Sequence, residues 1–189
     1  YLLMERMHIP TDKISFPNEM LEHLETALDL FFYRDVDGYK QLFDKINPYD
    51  FAILLQIVKL GYYLLIDDLQ KATMVHNEIF RYISILEEYG FSVFLIFSSY
   101  YNLAVKDFKN SRFILDNIAN NLYSVDKLYA LFNYAKFLTY GNLHLNTISM
   151  ESGFTAQQIF NKYSNINRIN EFFVWKDIFT VYDGNFDLG

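Results

Sequence analysis

Apolar residues recur along this chain at helical spacing, in pairs of helices joined by short turns. From Asn18 the series Leu21, Leu24, Leu28 and Phe31 advances in steps of three and four residues, which places these side chains on one face of a helix. Similar series continue to about residue 182. The sequence therefore predicts an all-α fold of about nine helices.

Four segments share the same order of features: a helix ending in aromatic residues, a short turn, and a second helix closing on Ile or Phe. They cover residues 31–46, 62–80, 100–118 and 134–148. As equivalent turn positions we take Asp37, Asp68, Asp107 and Asn142. Their intervals of 31, 39 and 35 residues bracket the roughly 34-residue period of tetratricopeptide-like helix pairs. We therefore expect a tetratricopeptide-like helical repeat solenoid, whose inner surface forms a groove suited to an extended peptide.

Proline and glycine positions indicate the domain organisation. Residues 1–17 form an expected irregular lead-in, because Pro10 and Pro17 restrict the backbone on both sides of them. Residues 18–189 form one expected helical repeat domain, and two of its predicted helices end at Gly90 and Gly141. The length fits a single domain with a continuous core.

Composition and charge narrow the classes of function. The net charge of −7 argues against a nucleic-acid surface, which needs clustered Lys and Arg. The absence of cysteine fits a cytoplasmic setting. No long uncharged apolar run predicts a membrane span. We expect a cytoplasmic protein that binds no membrane.

Candidate catalytic and metal sites are sparse. The four histidines are far apart in the sequence and form no metal-type pair. His76 lies on the inward stripe of its helix, where we expect a core or groove histidine. No phosphate-binding glycine loop and no nucleophile elbow occurs. We therefore expect no enzyme, no metal and no cofactor.

Rows of polar residues on the first helix of successive pairs are the candidate peptide site. Asparagine and glutamine supply both donors and acceptors, so they suit a peptide backbone, and lysine suits a peptide carboxylate. The open alternative is that these rows are the solvated faces of amphipathic helices. The predicted peptide contacts are Gln56, Lys59, Tyr63, Ser98, Asn102, Tyr129, Asn133 and Lys136.

The last predicted helix, from about residue 168 to 182, is apolar on more than one face. A terminal repeat normally needs a polar outer face, so we expect it to form a homodimer interface through Phe172, Trp175 and Phe179. The alternative is that these aromatic residues fold into the core of their own chain.

Two stretches carry a resemblance to a known family. Residues 111–166 include the helix end Leu115-Asp116-Asn117-Ile118, the helix from Tyr134 to Gly141, and the pattern Gly153, Ala156, Ile159, Phe160. This stretch resembles the closing portion of the Rgg/GadR/MutR transcriptional regulators of Gram-positive bacteria. Residues 49–79 are similar to earlier helices of that family, with Tyr49 standing where the family commonly has Trp.

The resemblance implies a cytoplasmic receptor for a short signalling peptide. In that family a helix-turn-helix domain reads DNA, and a helical repeat domain binds peptide and dimerises. Because the residues before Asn18 cannot make a helix-turn-helix domain, we expect this chain to be the sensor half, contacting DNA only through a domain it lacks. Two other classes stay open: a tetratricopeptide-like protein-interaction adaptor unrelated to transcription, and an enzyme on a helical scaffold.

Overall fold

Eight α-helices make up the part of the chain that the structure, a computed structural model, describes. That part comprises residues 18–46, 52–81, 86, 88–118 and 125–163, and it contains no strand. The helices are α1 Asn18–Phe32, α2 Val36–Phe43, α3 Ala52–Leu65, α4 Leu69–Phe80, α5 Glu88–Ala104, α6 Phe108–Asp116, α7 Asp126–Asn142 and α8 Asn146–Tyr163. The all-α prediction is confirmed. The predicted ninth helix lies outside the described residues.

One turn geometry joins the two helices of every pair. A residue with positive φ follows the first helix, and the amide of the next residue donates to a carbonyl five residues earlier, as in Asp35 N to Leu30 O at 2.8 Å. This is the Schellman arrangement, which satisfies carbonyls at the helix end. The positive-φ residues are Arg34, Asp67, Lys106 and His144. All four pairs therefore end their first helix in the same way, without glycine.

An aspartate begins the second helix in three of the four pairs. The side chains of Asp35, Asp68 and Asp107 each accept from the backbone amide three residues later, which is N-capping. In the fourth pair the equivalent position is Leu145, whose amide donates to Tyr140 O. The true turn spacings are therefore 33, 39 and 38 residues.

Several sequence-based turn and helix-end positions were wrong. Asp37 lies inside α2, and Asn142 is the last residue of α7, so neither is an equivalent turn position. Gly90 lies within α5 and ends no helix, whereas Gly141 immediately precedes Asn142, the last residue of α7. Glycine is not the residue at positive φ in the turns within the pairs, which use Arg34, Asp67, Lys106 and His144.

The first helices of the four pairs pack on one another, and each second helix packs on its own partner. Thus α5 contacts α1, α3 and α7, while α4 packs between α3 and α5, and α6 between α5 and α7. Residues 92–100 of α5 are all buried, so α5 is the central helix of the described part. The rings of Phe31 and Phe97 meet at 4.7 Å between α1 and α5, and the Tyr100 hydroxyl donates to Leu131 O of α7 at 2.9 Å.

The first helix pair also contacts the last pair. The rings of Phe32 and Phe160 stack at 4.6 Å and 7°. Lys127 Nζ of the last described pair lies 2.7 Å from Asp29 Oδ1 of the first pair and above the rings of Tyr33 and Tyr163. We call this contact between the two pairs the seam. In a solenoid each repeat contacts only its neighbours. The described helices therefore do not confirm the predicted open solenoid, because α1 packs on α5 and α7 as well as on its neighbours.

Close packing explains one mid-helix glycine. A Cβ at Gly61 of α3 would lie 2.5 Å from the Tyr39 hydroxyl oxygen and 3.0 Å from ring carbons of Phe97. The same Tyr39 hydroxyl donates to Ala27 O at 2.7 Å. Gly61 therefore lets α2, α3 and α5 meet at one point, beside a hydrogen bond to α1.

Candidate functional site

The predicted contacts on α3 are partly accessible to solvent. Gln56, Lys59 and Tyr63 are each half-buried. The Lys71 ammonium lies 5.5 Å from the centre of the Tyr63 ring and pairs with the capping Asp68 at 2.9 Å. Their separation of three and four residues puts the three α3 side chains on one helix face. This face is accessible in part and remains a candidate contact surface.

The predicted contacts on α5 lie inside the protein. Ser98 is 0% and Asn102 is 7% exposed. The Asn102 amide nitrogen donates to Ser98 O of its own helix at 2.8 Å, and the Ser98 hydroxyl is 2.6 Å from His76 Nε2. The structure therefore gives these two residues intramolecular partners, and the central position of α5 covers them.

The α7 residues divide between the interior and the surface. Asn133 is 6% exposed, and its amide nitrogen donates to Tyr129 O at 2.8 Å. Tyr129 and Lys136 are half-buried. The Lys136 ammonium lies 5.2 Å from the Phe132 ring centre and 5.5 Å from that of Tyr140. Two aromatic faces attract this cation and hold it in a restricted region, with no ion pair to any carboxylate of the described chain.

A second cation from α6 approaches the same tyrosine. The Arg112 guanidinium lies 5.7 Å from the Tyr140 ring centre, and its Nε donates to Asp116 at 3.2 Å. The Tyr140 hydroxyl also donates to the Asp116 carboxylate. Burial, followed by this interaction with Asp116, raises the pKa of Tyr140, so the hydroxyl keeps its proton and its orientation. Lys136 and Arg112 thus share one aromatic platform.

The sequence reasoning missed Arg112, Tyr140 and Phe132. Phe132 was detectable, because it precedes Lys136 by one helical turn. Tyr140 was detectable in the same way, because it follows Lys136 by one helical turn on α7. Arg112 lies on α6 and meets Tyr140 only through the α6–α7 packing, so no local signal identifies it. We call Arg112, Phe132, Lys136 and Tyr140 the cationic surface.

The predicted rows do not form one continuous wall in the described structure. α3 and α7 each pack on α5, and the buried stretch 92–100 of α5 lies between them. The eight predicted residues therefore divide into an accessible α3 edge, a buried α5 pair, and an α7 row that leads to the cationic surface.

An acidic depression lies on the face of α1. It has a volume of about 630 Å³ and is open to solvent. Its lining residues are Glu22, Glu25, Thr26, Asp29, Leu30, Tyr33 and Asp35. The Asp29 carboxylate is paired with Lys127. The face of α1 therefore carries excess negative charge. On the cationic surface Arg112 is paired with Asp116, and Lys136 has no ion pair within the described residues.

His76 is a buried histidine on α4. It is 7% exposed, and burial lowers its pKa from 6.5 to about 4. The Ser98 hydroxyl at Nε2 is its hydrogen-bond partner. Ser98 is fully buried, and no described carboxylate pairs with the imidazole. Within the described residues this Ser–His contact therefore lacks both the access and the third group that activate a nucleophile.

Among the described residues, no group of three or more His, Asp or Glu side chains is placed to hold a metal ion. None of the described helices combines the length and apolarity that a membrane span requires. Comparison of the chain with protein-family models, with characterised proteins and with solved structures gives no match. The resemblance to Rgg regulators stays a prediction.

Proposed function

We propose that this chain is the peptide-binding and dimerisation domain of a cytoplasmic, peptide-responsive transcriptional regulator of the Rgg type. Two partly accessible surfaces support a recognition role: the face of α3 that carries Gln56, Lys59 and Tyr63, and the cationic surface. In this proposal the DNA contact belongs to a domain outside these 189 residues.

The position of Lys136 carries the peptide proposal. Its ammonium is held above two rings, 5.2 and 5.5 Å from their centres, and it has no carboxylate partner within the described residues. A restricted cation loses less side-chain entropy when it binds an anion. Arg112 lies on the same Tyr140 ring but is itself paired with Asp116, so Lys136 is the cation that remains for an anion. A peptide carboxylate is the simplest group that completes this arrangement.

The α3 face supplies a second contact in the proposal. Gln56 and Tyr63 offer hydrogen-bonding groups, and Lys59 between them adds a positive charge. The buried Asn102 and Asn133 would join the site only after a rearrangement, since each uses one amide N–H within its own helix. A peptide that bound such a rearranged state would shift the population towards it, which is the coupling that a regulator requires.

Selection from a synthetic random octapeptide library on the immobilised protein tests this function. We expect enrichment of a defined sequence class by the wild type and by Lys45→Gln, an exposed lysine next to α2. Lys136→Gln should weaken binding of an enriched peptide by about tenfold, which corresponds to about 1.4 kcal/mol. Failure of the wild type to enrich any peptide class would refute the proposal.

Dimerisation is the second part of the proposal. The predicted interface residues Phe172, Trp175 and Phe179 lie outside the described residues. Sedimentation at micromolar concentration should show a homodimer, and Trp175→Ala should weaken it, because large aromatics dominate interface energetics. A strictly monomeric wild type would refute the dimer.

One observation favours the adaptor alternative. The large apolar residues that are exposed in the described part all lie on second helices or on the turns that lead into them. They are Ile66, Met74, Val105, Phe113, Ile148 and Phe154. An exposed apolar surface suits a folded protein partner. If the chain is an adaptor, it binds a folded protein partner and binds no octapeptide. Phe154→Ser then weakens that complex, while Lys136→Gln does not.

A further inference from the structure

His76 is the polar member of a thin helix interface. The outer helix α4 buries four residues, Ala72, Val75, His76 and Ile79. It packs mainly against α3 and α5. α4 packs more extensively on α3 than on α5, and His76 lies in the smaller interface, against Ser98 and Tyr101 of α5.

The surroundings of His76 suit a neutral ring and not a charged one. The Tyr101 ring stacks on the imidazole at 4.2 Å, and Phe80 and Phe94 lie at 4.8 and 5.8 Å. Nε2 is 2.6 Å from the Ser98 hydroxyl, while Nδ1 is buried with no hydrogen bond of ordinary geometry.

The groups around the ring compensate a bound proton only in part. From α4 the polar neighbour is the Asn77 side chain, which only partly offsets burial in setting the pKa of His76. From α5 the titratable neighbour is Tyr101, whose hydroxyl is 3.0 Å from that of Thr73. No described carboxylate forms an ion pair with His76.

We propose that His76 makes the α4–α5 contact an acid-sensitive joint, in which protonation of the imidazole releases α4 from α5 while the other helix pairs stay packed. Imidazolium carries two N–H donors. Ser98 accepts one of them, and the other meets only the Asn77 side chain, which offsets burial in part, so the charge stays buried, at a cost, with no carboxylate partner among the described residues. Release of α4 hydrates the ring and removes that cost.

The direction and size of the effect follow from the two protonation equilibria. The imidazole binds a proton with a pKa of about 4 when α4 is packed, against 6.5 in a hydrated state. The released state therefore gains protons first as the pH falls below 6.5. Linkage predicts that α4 opens about 20-fold more often at pH 5 than at pH 7.

Amide hydrogen exchange on the whole chain tests the joint, with rates corrected for intrinsic pH dependence. We expect the protection of residues 69–80 to fall about 20-fold between pH 7 and pH 5, with little change in α7. His76→Phe keeps an aromatic ring in the stack and should abolish the pH dependence. His144→Asn, at an exposed turn position, should retain it.

Two results would overturn the joint: equal protection of α4 at both pH values, or an equal loss in every helix. If His76→Phe does not fold, the wild type alone decides the matter through NMR titration of its histidine rings. A His76 ring that titrates near 6.5 with α4 still protected would overturn it as well.

Discussion

The contact of Gly61 with Tyr39 gives a prediction whose magnitude follows from the structure. Gly61→Ala places a methyl group 2.5 Å from the Tyr39 hydroxyl oxygen and 3.0 Å from the Phe97 ring. Overpacking of this kind costs about 1–3 kcal/mol, against a gain of about 1 kcal/mol from replacing glycine within a helix. We expect a net loss of up to about 2 kcal/mol of unfolding free energy.

Removing the Tyr39 hydroxyl should relieve much of that clash. Tyr39→Phe alone loses the hydrogen bond to Ala27 O, worth about 0.5–1.5 kcal/mol. In the double variant the alanine methyl occupies the space of the missing hydroxyl. The double variant should therefore be more stable than the sum of the single effects predicts, by about 1 kcal/mol or more.

Equilibrium urea unfolding of the wild type, the two single variants and the double variant measures this coupling. Tyr100→Phe is the matched control, because its hydroxyl also donates to a helix carbonyl, Leu131 O, but does not approach Gly61. We expect Tyr100→Phe and Gly61→Ala to be additive. Additivity of Tyr39→Phe with Gly61→Ala, within about 0.5 kcal/mol, would refute the packing of α2 against α3 described here.

Three further predictions concern stability. Lys106→Gly should raise the free energy of unfolding by about 0.5–1 kcal/mol, because Lys106 has a φ of 61° and glycine adopts such angles without strain. The urea midpoint should rise accordingly, and a lower midpoint would contradict this turn geometry. Lys127→Met should cost about 1 kcal/mol in thermal unfolding, since it removes the ion pair with Asp29 and the contact with Tyr33; an effect no larger than that of Lys45→Met would count against the seam between the first and last pairs. Burial lowers the pKa of His76 from 6.5 to about 4 in the native state, so the unfolded chain binds the proton first as the pH falls. The free energy of unfolding should therefore decrease by up to about 3 kcal/mol between pH 6.5 and pH 4. Urea unfolding at several pH values measures this, and an equal decrease in His76→Phe would contradict the assignment.

Helix content and pairing were predictable because they depend on local signals. The spacing of Leu21, Leu24 and Leu28 determines the buried face of α1, and Asp68 and Asp107 are recognisable N-caps. These features involve residues within a few positions of one another. They place four helix pairs without any knowledge of tertiary contacts.

Tertiary closure was not predictable in the same way. The stacking of Phe32 on Phe160 joins residues 128 positions apart, and no periodicity records it. The polar residues Ser98 and Asn102 were expected in a groove because the sequence does not show that other helices surround α5. The pairing of Arg112 with Tyr140 depends on how α6 packs against α7, so the cationic surface emerged only from the structure.

Isothermal titration of an enriched octapeptide into the wild type, Lys136→Gln and Lys45→Gln measures peptide recognition itself. We expect saturable binding of one peptide per chain by the wild type and Lys45→Gln, and about tenfold weaker binding by Lys136→Gln, because the ammonium above Phe132 and Tyr140 is lost. Equal affinity of all three proteins would contradict the cationic surface as the site. The absence of saturable binding to the wild type would contradict peptide recognition itself.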